Sequence, residues 1–250
     1  MDADKLNKEY EFTIKIKRYD PQVDKAPYWK DYKVKITAST TLLDTLFKIM
    51  EEQDPSISLR YNCRSAVCGS CAMLINGKHG LACKTKPAEL GTSVIKVEPL
   101  PYLPVIKDLV VNMDPFFEKL RAIKPYMITD EANWPEKEFR QSPANHRAVD
   151  QYAGCILCGA CYSSCITVWT DKNYLGPAAL TQAYRFVIDE RDIATKERLK
   201  LVDSEDGVYR CHTSFNCVEA CPKGIKPTDA IQGLKRKIAV QKIKSLLRIG

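Results

Sequence analysis

The chain has 250 residues, eleven cysteines, a formal charge of +7 and 45% hydrophobic residues. That is enough chain for one or two domains with ordinary cores, and no internal repeat or low-complexity tract interrupts it. No apolar run approaches the ~18–20 residues that a membrane-spanning helix needs, and no nucleic-acid fold signature accompanies the basic charge.

The start, Met1-Asp2-Ala3-Asp4-Lys5, is acidic and polar. It carries none of the marks of a secretory signal, a twin-arginine leader or a mitochondrial presequence. The expected location is therefore a prokaryotic cytoplasm, with the matrix side of a mitochondrion as the alternative for a processed form. Alternation over 10–18 sets Phe12, Ile14 and Ile16 on one face of a strand, and Tyr32, Val34 and Ile36 repeat the pattern. The stretch 21–29 between them reads as a loop. Thr41 to Asp44 is a capping box ahead of Leu42, Leu43, Leu46, Phe47 and Met50 at helical spacing. Residues 72–75 and 80–83 flank Asn76-Gly77, a strong hairpin signal, and 94–98 closes the set. Two strands, a helix, a cysteine loop and further strands amount to a β-grasp arrangement.

Pro99, Pro101 and Pro104 mark a boundary, because such a stretch neither continues a sheet nor starts a long helix. The expected division is 1–103 and 104–250. The second part reads as mainly helical, giving an α+β chain overall. Residues 114–123, 177–189 and 228–247 carry helical periodicity, with Pro115 and Pro177 suited to first turns. Residues 124–153 show no clear period and are expected to be irregular. The last helix carries Ile231, Leu234, Ile238, Ile243 and Leu246 alongside Lys235, Arg236, Lys237, Lys242, Lys244 and Arg248. It is either a solvated basic helix docked on its own domain or a contact for anionic lipid or an acidic partner.

The cysteines fall in two runs. The first, Cys63-x4-Cys68-x2-Cys71-x11-Cys83, has the plant-type spacing for a [2Fe–2S] core. Cys68-Gly69-Ser70-Cys71 supplies little side-chain bulk and backbone N–H groups for the anionic sulfur. The second is Cys155-x2-Cys158-x2-Cys161-x3-Cys165, completed by Cys211-x5-Cys217-x3-Cys221-Pro222. It is similar to the two-cluster bacterial pattern, in which the fourth cysteine of each run crosses to the other cluster. On that template Cys155, Cys158, Cys161 and Cys221 hold [4Fe–4S]. Cys165, Cys211 and Cys217 offer three thiolates for [3Fe–4S], because position 214 is Ser214. Zinc does not explain the x4 spacing, the triple C-x2-C-x2-C or the Cys-Pro ending. Cysteines two residues apart are poor disulfide partners, and no C-x2-C is followed by histidine as a c-type haem requires. Three ligated clusters of about −2 each bring the loaded chain near about +1, so most of the basic excess balances cluster charge.

These runs stand within longer segments: Arg60-Tyr61-Asn62-Cys63-Arg64, Lys107-Asp108-Leu109-Val110-Val111, Asp114-Pro115-Phe116-Phe117, Tyr174-Leu175-Gly176-Pro177 and Cys217-Val218-Glu219-Ala220-Cys221-Pro222-Lys223-Gly224. Over nearly its whole length the chain resembles the iron–sulfur subunit of succinate dehydrogenase and fumarate reductase. The resemblance implies an electron relay from FAD on a flavoprotein subunit, through [2Fe–2S], [4Fe–4S] and [3Fe–4S], to quinone at a membrane anchor with or without haem b. It implies a peripheral position on the membrane and no catalytic residue for the dicarboxylate chemistry in this chain. It also points to a quinone pocket at His212 and Trp169, the latter on a segment one residue shorter than in familiar members. Ile166 stands where proline is frequent, and Ser214 where an aliphatic residue is often found. The direction of the dicarboxylate reaction stays open, as do the cluster subunit of another flavin-linked dehydrogenase and a soluble ferredoxin-like carrier. His79 and His146 fit no site and are expected to be surface or turn residues.

Overall fold

The computed structural model describes residues 8–247; the acidic start at Met1 to Lys5 and the basic Arg248 lie outside the described residues. The chain divides into two compact units, one running to Met113 and taking in Ile156–Ser163, the other comprising Asp114–Cys155 and the chain from Ser164 onward.

The first unit is built on a five-stranded sheet. Strands β1 (Glu9–Arg18) and β2 (Tyr28–Thr37) pair antiparallel, with Phe12 opposite Val34 and Ile14 opposite Tyr32. Their alternation buries Phe12, Ile14, Ile16, Tyr32, Val34 and Ile36 on one face. Strand β2 begins at Tyr28, so the preceding loop is shorter than the apolar pattern indicated; Tyr28 and Trp29 pair through their backbones while their side chains stay exposed. Helix α1 (Leu42–Glu52) is capped by Thr41, whose Oγ1 accepts from the Asp44 N–H at 3.2 Å and donates to the Asp44 carboxylate at 2.6 Å. The helix buries Leu42, Leu43, Leu46 and Ile49, side chains worth about 1.5–3 kcal/mol each when fully buried.

Strands β3 (Ala72–Ile75) and β4 (Lys78–Leu81) form the expected hairpin, but β4 starts directly after Asn76-Gly77 and ends before Cys83. Asn76 and Gly77 both have positive φ, 48° and 77°, which makes a two-residue turn and fixes Ile75 opposite Lys78. Strand β5 (Val94–Glu98) runs parallel to β1 and antiparallel to β3, giving the order β2–β1–β5–β3–β4. This is the β-grasp arrangement. A short ribbon of β6 (Val105–Lys107) and β7 (Val110–Val111) follows.

A buried ion network ties these parts to the segment that leads into the first cysteine loop. Arg18, at the end of β1, donates from Nε to Asp108 at 2.8 Å, and from Nη1 to Asp54 and the Tyr32 hydroxyl at 2.7 Å each. Asp54 also accepts from Lys30 and from Tyr32, and Asp108 accepts from the backbone N–H groups of Tyr19 and Ser58. Burial alone would raise the Asp54 carboxyl; hydrogen bonds from Lys30, Ser56 and Tyr32 outweigh it and hold the group far below the usual carboxylate range.

The second unit is helical. It begins with α2 (Asp114–Ala122) and α3 (Pro143–Ala153). Helix α3 corrects the expectation of irregular chain over 124–153. Its apolar positions are sparse, so it has almost no period to detect; the signals it does carry are Ser142 as cap, accepting from the Asn145 N–H, and Pro143 in the first turn. Four-residue α4 (Ala160–Ser163) belongs to the first unit. The second resumes with α5 (Ile166–Thr170), α6 (Gly176–Val187), α7 (Thr195–Val202), α8 (Asn216–Glu219) and α9 (Pro227–Leu246). Helix α6 is buried along most of its length. Helix α9 lies so close to it that a Cβ on Gly233 would fall 2.5 Å from the Tyr184 ring. The apolar stripe of α9 is buried only as far as Ile238: Ile231, Leu234 and Ile238 are buried, whereas Val240, Ile243 and Leu246 are exposed. Among the described residues no helix is long and apolar enough to cross a membrane.

Candidate iron–sulfur centres

All eleven cysteines lie among the described residues and none forms a disulfide. The first four sit in the first unit. Cys63 and Cys68 lie on the loop between α1 and β3, Cys71 immediately before β3, and Cys83 just after β4. The loop is bent by left-handed residues at Arg64, Ala66 and Gly69, and the bend turns backbone N–H groups inward. Those of Ser65, Val67 and Cys68 point at Cys63 Sγ from 3.3–3.4 Å, and that of Ala66 at Cys83 Sγ from 3.3 Å. Hydrogen bonds from the Ser70 side chain and the Cys63 backbone bring the Cys68 thiol down to about 6, while burial pushes Cys71 up. A ring of N–H donors around sulfur suits anionic thiolates and sulfides, so the loop fits a [2Fe–2S] core. Phe47 braces its rim: it meets Tyr61 edge to face at 4.6 Å, and the Arg64 guanidinium lies 4.9 Å from its ring centre.

In the second unit Cys165 caps α5, Cys211 closes a short turn at 208–210, and Cys217 lies in α8. Tyr174, almost wholly buried, stands among them. Burial first, then the thiolate charges of Cys211, Cys165 and Cys217, hold its phenol well above the ordinary range. Cys217 is likewise raised, by burial and by the other two thiols, and its Sγ lies 3.5 Å from the Thr228 hydroxyl. These three cysteines therefore come together. Ser214 is exposed, between left-handed Thr213 and Phe215.

Cys155 and Cys221 pack against one buried cluster of Tyr152, Ile225 and Ala230 in the second unit, and Cys158 and Cys161 belong to the segment Ile156–Ser163 of the first. Among the described residues no three His, Cys, Asp or Glu side chains are arranged around a single metal ion. His212 and Trp169 are both exposed residues of the second unit, as are Ile166 and Phe215 beside them in sequence. His79 is not an ordinary surface residue. It is half-buried, its Nε2 lies 2.7 Å from Ser163 Oγ, and burial pushes its imidazole below the ordinary value. His146 is exposed on α3, as expected.

Comparison with known proteins finds iron–sulfur domains in both parts of the chain. The 2Fe-2S iron-sulfur cluster binding domain matches residues 13–118, and the 4Fe-4S dicluster domain matches 151–225. The succinate dehydrogenase [ubiquinone] iron-sulfur subunit 1 of Oryza sativa is 44% identical over 90% of this chain and 81% of its own length. The chain belongs to the iron–sulfur subunits of succinate dehydrogenase and fumarate reductase. The fumarate reductase iron-sulfur subunit of Haemophilus influenzae, 38% identical over 94% of this chain and 96% of its own, stands on the other side of that family. A solved chain from the Mycobacterium smegmatis Sdh1 complex in the apo form superposes with a TM-score of 0.85 at 27% identity, covering 94% of this chain and 98% of that one. Tyr174, in the segment Tyr174-Leu175-Gly176-Pro177, acquires a place that spacing did not reveal, buried near Cys165, Cys211 and Cys217.

Proposed function

We propose that this chain is the electron-conducting subunit of a succinate:quinone oxidoreductase. Cys63, Cys68, Cys71 and Cys83 hold [2Fe–2S]; Cys155, Cys158, Cys161 and Cys221 hold [4Fe–4S]; Cys165, Cys211 and Cys217 hold [3Fe–4S]. Bound, these clusters supply one-electron carriers between FAD on a flavoprotein subunit and quinone at a membrane anchor, with or without haem b. The observation that carries the reading is the grouping of three cysteines around buried Tyr174, with serine at the fourth ligand position of the ferredoxin template. A serine hydroxyl holds its proton far more tightly than a thiol, so it leaves that iron corner empty.

The chain's own residues tune and position. Loop N–H groups stabilise the sulfur charge, and no acid–base residue is contributed to the dicarboxylate chemistry, which belongs to the flavoprotein. Exposed His212 and Trp169, beside Cys211 and close after Cys165 in sequence, form the protein side of the quinone pocket. The subunit is peripheral, on the cytoplasmic face of a prokaryotic membrane or the matrix side of a mitochondrial one, held by its partners. Its likeness to the Haemophilus influenzae subunit supports the reverse role, in a quinol:fumarate reductase, on the same cofactor chain.

The test uses the assembled complex, prepared anaerobically. It should contain about nine irons and ten acid-labile sulfides per copy of this chain. Its oxidised form should show the paramagnetic signal of [3Fe–4S], and succinate should reduce quinone. Stoichiometric zinc, or a diamagnetic terminal centre with four irons, would overturn the assignment. Potentials of the three clusters measured against the candidate quinones decide between the two directions.

A further inference from the structure

The segment Ile156–Ser163 is held to the sheet unit at three points, and all three bear on Cys158 and Cys161. The first is Gly69, in the loop of the first four cysteines. Its φ is +73°, and a Cβ there would fall 2.8 Å from both the Ile156 carbonyl oxygen and Cys158 Cβ. No side chain fits between that loop and the backbone of Cys158. The second is Gly159, with φ +78°, where a Cβ would lie 2.9 Å from Met113 Cε. The third is polar: His79 Nε2 meets Ser163 Oγ at 2.7 Å, and Ser163 is fully buried.

His79 is well placed to act as a fixed post. It sits on β4, directly after the tight Asn76-Gly77 turn, and the strand is locked in register to β3. Ser163 ends α4 and falls between Cys161 and Cys165. A buried hydroxyl left without its partner is costly, so the pair selects one position for the end of α4. Neither residue is a cysteine ligand and neither belongs to the proposed quinone pocket.

We infer that His79 and Gly69 are positioning residues that fix the Cys158–Cys161 segment against the Cys63–Cys83 loop and so set the separation between the first two cofactors. The inference rests on the ligand sets proposed above. Electron transfer between fixed centres falls steeply with distance, so a relay needs that separation held. A close backbone approach secured by a glycine, with a buried hydrogen bond as its second anchor, does this without an intervening side chain. Gly69 sets how near the two segments come, and His79 keeps them there.

The test compares the assembled holo-complex with His79→Ala, His79→Gln and Gly69→Ala variants. Iron content, amide exchange over residues 160–163 and magnetic coupling between the reduced [2Fe–2S] and [4Fe–4S] signals are read for each. His79→Ala should speed exchange there about three- to tenfold and weaken the coupling, and His79→Gln, which keeps a hydrogen-bonding group at similar reach, should restore both. Gly69→Ala should weaken the coupling through the backbone displacement it forces. Unchanged coupling in His79→Ala and Gly69→Ala, or no recovery in His79→Gln, would overturn the positioning role. A wild-type complex lacking either cluster signal would instead overturn the ligand assignment, and that result is read before any variant is made.

Discussion

Single residues decide how each sulfur behaves. Tyr174 is the clearest case. Its phenol is buried near three thiols and is held protonated, so the only thing it can offer the sulfur around it is an O–H donor. A donor to a cluster sulfur stabilises the reduced, more negative state and raises the potential. Tyr174→Phe should therefore keep the [3Fe–4S] signal but lower its midpoint potential by roughly 30–60 mV, a hydrogen bond's difference converted at one electron. A redox titration followed by paramagnetic resonance checks it, and an unchanged midpoint would reduce Tyr174 to a packing residue. The eleven cysteines were legible because ligand spacing is written in one dimension, and the grouping proposed for them rests on that spacing. Tyr174 and His79 were not. Each stands beside groups far away in sequence, three cysteine thiols for one and Ser163 for the other, and neither residue type in isolation points there.

Elements were legible in proportion to how much apolar periodicity they carry. Strands β1 and β2 and helix α1 bury regular sets of side chains and could be read directly. Helix α3 buries only Val149 and Tyr152, so its cap and first-turn proline carry the whole signal. The apolar residues of α9 are buried as far as Ile238, while the end of the helix is held by an ion pair of Lys242 with Asp203, a change that its apolar spacing does not announce. The buried ion network was equally invisible, because Arg18, Asp54 and Asp108 are scattered over 90 positions. It has a measurable consequence. Arg18→Met would leave Asp108 without its cation and Asp54 with Lys30 alone, and should destabilise the first unit by about 3–5 kcal/mol. Because Asp54 is depressed in the folded state, its contribution is complete above the ordinary carboxylate value of 3.8 and is lost as pH falls through the lowered one. Denaturant titrations should show wild-type stability falling on acidification below about pH 4 and a shallower fall in Arg18→Met. Equal acid sensitivity in both would mean that the network does not govern acid unfolding.

For the whole molecule, charge and cofactors are coupled. The polypeptide alone carries +7, an excess that invites an anionic partner, yet the cysteine loops are themselves the anionic partner once ligated. Arg60 and Arg64 flank Cys63, and Lys223 and Lys226 follow Cys221, whereas no Lys or Arg lies near the run Cys155–Cys165 in sequence, so the balance is one of the whole chain rather than of each loop. With each oxidised cluster site near −2, the loaded chain should sit near about +1. A long-range balance of this kind is legible from composition only after the ligand sets are known. Stripping the clusters under reducing, chelating conditions should then make the released subunit more basic by about six charges. Capillary electrophoresis of loaded and stripped subunit under identical buffers measures the difference directly. A stripped chain that migrates like the loaded one would mean that the thiolates are not ligated in the proposed numbers. A shift of only about two charges would correspond to a single cluster, and the three-centre relay could not then be carried by this chain.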